Sequence, residues 1–239
     1  MINDSLDNHT WEQIASNICY ILQCFSKNKS KISNSEKHRH SMFIRKTETE
    51  YEKLIKNFEN FNKLSQLKYL TINDKKYLNF VDLWDHAKVK INDLCNENPF
   101  NVIHGDMCFS NMLCDSSTGV LRMIDPRGSF GIDGVYGDPL YDKAKLLHSV
   151  DGKYELIIYD KFDLNFNTNL GKINYVFNNN KDLSFIKKII FNEAEEPIIK
   201  LIMSTIFIGM CARHYDDTER QVIMYATGIK SMTEALNCM

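Results

Sequence analysis

The stretch that most limits what this chain can fold into runs from Val102 to Asp142, VIHGDMCFSNMLCDSSTGVLRMIDPRGSFGIDGVYGDPLYD. His104-Gly105-Asp106 stands in a short loop with apolar flanks, Asn111 follows Asp106 by five residues, and Asp125 ends a second apolar run. Asn101 to Ile103, Met112 to Cys114 and Val120 to Ile124 carry β-compatible residues, and the turn-forming Asp115-Ser116-Ser117-Thr118-Gly119 separates the last two. A strand, a loop and a hairpin are expected. Asp106 then lies on the loop before the hairpin, Asn111 at the hairpin's near end and Asp125 just past its far end, so the three converge on one mouth.

A carboxylate, an amide and a second carboxylate in that order are the groups that phosphoryl transfer asks for. One orients an attacking hydroxyl and accepts its proton, and two hold magnesium on a triphosphate. Asp106 suits the first role. Asn111 and Asp125 suit the others as hard oxygen ligands, which magnesium prefers. A lone HGD arises often by chance, whereas HGD, Asn five on, Ile-Asp fourteen beyond and then GDPLYD form an ordered set that is hard to reach by accident. Asp125-Pro126-Arg127-Gly128 also reads as a simple turn. Arg127 either touches a phosphate or acidic substrate group or pairs with a local carboxylate. His104 reads as a hydrogen-bonded structural residue, because Asp106 already fills the base role.

The segments HGDMCFSNML, IDPRGSFG and GDPLYDKAKLLHSVDG together resemble the aminoglycoside phosphotransferase and choline kinase family, a branch of the protein-kinase-like fold, and within it the phosphotransferase domains linked to bacterial capsule and surface-polysaccharide genes. The likeness is specific over roughly Val102 to Gly152 and looser on either side. It implies Asp106 as catalytic base, Asn111 and Asp125 as ligands of Mg2+ and its nucleotide, ATP or GTP, and Asp142 as a structural residue that opens a helix and braces the loop, with His104 in support. It implies an α+β, mostly helical large C-terminal lobe with a small β-hairpin catalytic region, in one domain over 1–239. Within that domain 1–100 is helical, 101–152 holds the catalytic loop, metal loop and bracing helix, and 153–239 holds a hairpin and a helical subdomain. The front of the chain departs from the family. No glycine precedes Gly105 and no strand carries a phosphate-pairing lysine, so the β-rich N-terminal lobe is expected to be absent. It is then supplied by a separate small lobe or partner chain, cut off at the lobe boundary, or lost together with ATP-dependent catalysis.

The remaining chain fits an ordinary globular protein: 239 residues, 44% hydrophobic and 25% charged. With a net charge of −2 and no basic stripe interleaved with aromatics, nucleic acid is not expected as a partner. Seven cysteines without a CxxC pair and a polar N-terminus point to the reducing cytoplasm. The apolar run Leu201 to Cys211 is about half a membrane span and reads as a buried helix, so no membrane span is expected. Helices are expected over Thr10 to Phe25, capped by Asp7 or Asn8, over Glu48 to Leu64, capped by Thr47, over Asp82 to Asn96 and over Gly137 to Val150. Further helices are expected over Leu183 to Asn192, Pro197 to Ala212 and Thr218 to Leu236, with strands over Tyr154 to Tyr159 and Lys172 to Phe177. Ser26 to Arg45 reads as a solvated basic loop or as a segment near an anionic ligand. His214 and Asp216 read as a metal site or a loop hydrogen-bond pair. The expected activity is a kinase acting on the hydroxyl of an alcohol, amino alcohol or sugar. A non-catalytic binding or scaffold lobe is the alternative, and a polycationic aminoglycoside acceptor ranks below both because no dense acidic run is present.

Overall fold

Apolar residues at helical spacing build α1 (Asn8–Ser26), whose buried face is Trp11, Ile14, Ala15 and Ile18, and Asp7 caps it by accepting the Thr10 N–H at 2.7 Å. The structure is a computed structural model that describes residues 6–115, 118–178 and 181–239. Ser116 and Ser117 of the expected turn lie outside the described residues. The stretch after α1 is not the solvated loop that its charges suggest. It contains β1 (Lys29–Ser30), α2 (Ser35–His40) and a π-helical turn (Ser41–Arg45), and it runs unbroken into α3 (Lys46–Asn57). Arg39 is the physical reason. It is 2% exposed, its Nε donates to Asp138 at 2.6 Å, and its Nη1 donates to the carbonyls of Asn96 and Asn98 at 2.7 and 3.0 Å. A buried guanidinium is tolerated only when its donors are satisfied in this way.

Further expectations for the first hundred residues are corrected. Thr47 lies inside the helix and donates its hydroxyl to Phe43 O rather than capping, and extended Phe58 (φ −127°, ψ 112°) divides the expected second helix into α3 and α4 (Glu59–Ser65). The segment is also not wholly helical. β2 (Tyr69–Ile72) and β3 (Lys75–Leu78) pair antiparallel through Asn73 and Asp74, whose φ of 45° and 61° are the two positive angles of a type I′ turn. α5 (Phe80–Asn92) starts at Phe80 rather than Asp82 because Asn79 caps it.

β4 (Phe100–Val102) leads to the loop, and the expected hairpin follows as β5 (Met112–Cys114) and β6 (Leu121–Met123). β7 (Tyr136–Gly137) returns to pair with β4, whose other edge carries β1. α6 (Pro139–Val150) begins at Asp138, which accepts the Leu140 N–H, with Pro139 in the first turn where its missing N–H costs nothing. The expected strand over Tyr154 to Tyr159 is instead α7 (Tyr154–Ile158). Buried Glu155 accepts the Ser149 hydroxyl at 2.8 Å and the Ser110 N–H at 3.1 Å, and these tertiary contacts override the β-propensity of the segment. β8 (Phe162–Asn167) and β9 (Lys172–Phe177) pair antiparallel, and β9 joins β2 in parallel to give the sheet order β3-β2-β9-β8.

α8 (Ser184–Ile190), α9 (Glu196–Cys211) and α10 (Thr218–Asn237) close the chain. α9 is apolar nearly all round and packs against α10, α6 and α3, so it is the axis of the core. The result is an α+β, mostly helical architecture with small sheets. Among the described residues no helix is long and apolar enough to cross a membrane. The seven cysteines are unpaired.

Candidate functional site

The loop around Asp106 is held from below by one carboxylate. Asp142, in the first turn of α6, accepts the N–H of His104 on Oδ2 and the N–H of Gly105 on Oδ1, each at 2.7 Å. Asp142 is 1% exposed, and burial pushes its carboxyl up to about 6 against the pull of those two donors. Gly105 (φ 78°) is in the left-handed region, and a Cβ there would meet Arg127 Cβ at 2.8 Å, so both conformation and space require glycine. His104 ties the loop to the hairpin. Its Nδ1 lies 3.3 Å from the Asp106 N–H and its Nε2 lies 2.9 Å from Ile124 O, two bonds that the Nε2-protonated tautomer satisfies together.

Asp106 is therefore fixed, and its carboxylate is engaged. Oδ1 is 2.7 Å from Lys145 Nζ, while Asn111 Nδ2 donates to Oδ2 at 3.0 Å and to the Asp106 carbonyl at 2.9 Å. Lys145 lies one turn beyond Asp142 on α6 and is buried. Burial pulls its ammonium down, but Tyr141 and Asp106 outweigh that and hold it above the usual lysine range. Asp125 follows β6 as an exposed residue at φ 56°, an uncommon conformation for a residue with a side chain, and it has no hydrogen-bond partner among the described residues.

Asp106, Asp125 and Arg127 line one cavity of about 370 Å³. Tyr141 and Lys145 of α6, Lys46 of α3 and Arg213 beyond α9 add charged and polar groups to its wall. The π-helical turn bears on this wall, because its register shift ends at Lys46, whose N–H bonds Ser41 O five residues back, and Met42, Lys46 and Thr47 all face the cavity. Arg127 donates its backbone N–H to His104 O at 2.9 Å and its Nη1 to the Tyr141 hydroxyl at 2.9 Å, and it has no carboxylate partner among the described residues. Of the expected site residues, Asn111 stands beside Asp106 and not on the cavity wall. His104 and Asp142 lie behind the loop.

His214 lines the same cavity, whereas Asp216 lies 3.8 Å from Arg220, so the expected pairing of these two is not made. Among the described residues no three His, Cys, Asp or Glu side chains gather as a metal cluster. A magnesium ion that keeps several waters and takes its remaining ligands from phosphate asks for less, and the Asn111 amide oxygen and the Asp125 carboxylate, which has no partner among the described residues, are hard oxygen donors of the type it would take. Lys46, Tyr141, Lys145 and Arg213 were not expected at the site. The spacing of Tyr141, Asp142 and Lys145 was the available signal, since residues three and four apart on a helix share a face and Asp142 already faces the loop. Comparison with family models, with curated proteins and with solved structures finds no match to this chain.

Proposed function

We propose that the chain is the large lobe of a small-molecule kinase of the aminoglycoside phosphotransferase and choline kinase type, moving the γ-phosphoryl group of ATP or GTP to a hydroxyl, with surface-polysaccharide precursors as a substrate source. One observation carries the reading: the Asp142 carboxylate receives two successive loop N–H groups and so presents Asp106 to a cavity that Asp125 also lines. In this reading the acceptor hydroxyl lies against Asp106, which takes its proton as the hydroxyl oxygen bonds to the γ-phosphorus. The bond from that phosphorus to the bridging oxygen breaks, and the nucleoside diphosphate leaves. Asn111 and Asp125 would hold a magnesium ion, which would supply neutralisation of phosphate charge. The protein's own contribution is positioning, because Lys145 and Asn111 fix both oxygens of Asp106.

The same engagement of both Asp106 oxygens favours a second reading, a lobe that binds phosphorylated ligands without turning them over. Calorimetry with Mg-ATP, followed by a phosphorylation screen over sugars and polyols, separates the two. Magnesium-dependent binding that Asp125→Ala abolishes, with turnover that Asp106→Asn abolishes, is the result expected of a kinase. Binding without turnover supports the second reading, and no binding at millimolar nucleotide removes the kinase assignment for this chain.

A further inference from the structure

The cavity holds more positive charge than the proposed chemistry uses. Asp106 neutralises Lys145, and Asp125 is left to a metal. Lys46, Arg127 and Arg213 remain. Arg127 Nη1 donates to the Tyr141 hydroxyl at 2.9 Å, and Lys46 Nζ stands 3.5 Å from the same oxygen. Neither cation has a carboxylate partner among the described residues, and Arg213 reaches only Glu50, at 3.8 Å. Tyr141 is 2% exposed and receives both donors, so its own O–H proton is left to be given to another acceptor. Burial pulls the Lys46 ammonium down and the neighbouring Arg127 and Arg213 guanidinium groups add to this, with Tyr141 opposing. Three cations and an uncommitted hydroxyl crowded on one wall are unfavourable until an anion joins them, and then each becomes a charge-assisted donor.

We propose that the molecule phosphorylated here is itself an anion, a polyol or sugar bearing a phosphomonoester, whose oxyanion is held by Lys46, Arg127, Arg213 and the Tyr141 hydroxyl while a free hydroxyl reaches Asp106. The dianion matches this wall better than a carboxylate, and the wall repels the cationic acceptors choline and aminoglycosides. The substrate assignment rests on the kinase reading, but the anion site does not, because it can be measured with no nucleotide present.

The test is calorimetry of the full chain at low ionic strength with four probes: glycerol phosphate, glycerate, glycerol and choline. Glycerol phosphate should bind most tightly, glycerate more weakly, and glycerol and choline not at all. Lys46→Met and Arg127→Met should each weaken glycerol phosphate by about tenfold or more. Tyr141→Phe, which keeps the ring in place, should weaken it by less. Asp125→Ala removes the metal ligand but none of the cations, so it should retain or tighten the binding. Melting curves of each variant establish that it is folded. Failure of glycerol phosphate to bind at millimolar concentration, equal binding by folded Lys46→Met, or preference for choline would overturn the proposal. So would competition between glycerol phosphate and Mg-ATP, which would assign the cations to the nucleotide. Loss of Mg-ATP binding with glycerol phosphate binding intact would overturn the kinase reading alone.

Discussion

Lys145 Nζ lies 2.7 Å from Asp106 Oδ1, yet the two side chains differ in exposure: the lysine is 7% accessible and the aspartate 37%. The buried partner is the one that cannot stand alone. Truncating one side of a buried ion pair leaves an uncompensated charge, which in a fully buried pair costs about 3–5 kcal/mol. Water reaches Asp106, so Asp106→Ala should cost less, about 2 kcal/mol. Lys145→Met should be milder, because the carboxylate it leaves behind keeps solvent and the Asn111 amide. The double variant Asp106→Ala/Lys145→Met should therefore recover most of the single-aspartate loss. Urea unfolding of all four proteins tests this, and strictly additive losses would show that the pair contributes no coupling. An activity assay on Asp106→Ala alone would confuse catalysis with folding, so Asp106→Asn is the better catalytic variant.

Gly105 offers a test of the loop that does not touch a charge. Alanine at φ 78° enters the left-handed region, and its Cβ would sit 2.8 Å from Arg127 Cβ. Arg127 cannot easily give way, since its backbone N–H is bonded to His104 O. Gly105→Ala should lower stability by about 2 kcal/mol. On the kinase reading it should also weaken Mg-ATP binding by moving Asp125, which precedes Arg127 by two residues. Unchanged stability and affinity in this variant would show that the loop relaxes freely and does not set the site.

The Arg39–Asp138 pair joins the helix before the π-helical turn to the cap of α6. Both side chains are nearly inaccessible, at 3% and 7%, and the guanidinium also fills the Asn96 and Asn98 carbonyls. Arg39→Ala should destabilise the protein by about 3–5 kcal/mol. Arg39→Lys should recover little, because a single ammonium cannot reproduce the planar set of donors. A loss below about 1 kcal/mol for the alanine variant, measured by urea unfolding, would count against this contact as the organiser of the 26–45 segment.

What could be read before folding was what is local. The β5–β6 hairpin, a helix start near Pro139 and the apolar α9 follow from residues close in sequence, and the hairpin brings Asp106 and Asp125 to one cavity, although Asn111, expected at the same mouth, is not on its wall. Arg39 misled because its partner lies ninety-nine residues away, and a charged run without its partner looks solvated. Lys46 and Arg213 reach the cavity only once α3 and α9 pack together. Tyr154 to Ile158 failed for a related reason: the groups that make a helix of it, Ser110 and Ser149, belong to other elements.

His148 provides a prediction whose sign can be worked out from burial alone. It is fully buried between the rings of Tyr154 and Phe207, at centroid distances of 4.2 and 4.1 Å, and neither ring nitrogen has a hydrogen-bond partner among the described residues. Burial first, then the positive charges of Lys145 and His214, holds it well below the usual histidine range. The folded protein thus keeps it neutral, whereas the unfolded chain binds a proton below about pH 6.5. The unfolded state then holds more protons, so this residue removes stability as the pH falls through that value. Asp142 acts with the opposite sign. Its folded value of about 6 lies above the ordinary aspartate value of 3.8, so its contribution is present at low pH and is lost as the pH rises through that interval. Comparing His148→Phe with the parent at each pH cancels the Asp142 effect and isolates the histidine. The variant keeps an aromatic ring in the stack and removes two unpaired polar atoms, so it should be more stable by about 1–3 kcal/mol at neutral pH. The advantage should widen as the pH is lowered from 7 to about 5. Thermal unfolding across that range decides the matter: a variant that is no more stable, or whose advantage does not change with pH, would mean that His148 finds a partner or a proton in the folded protein.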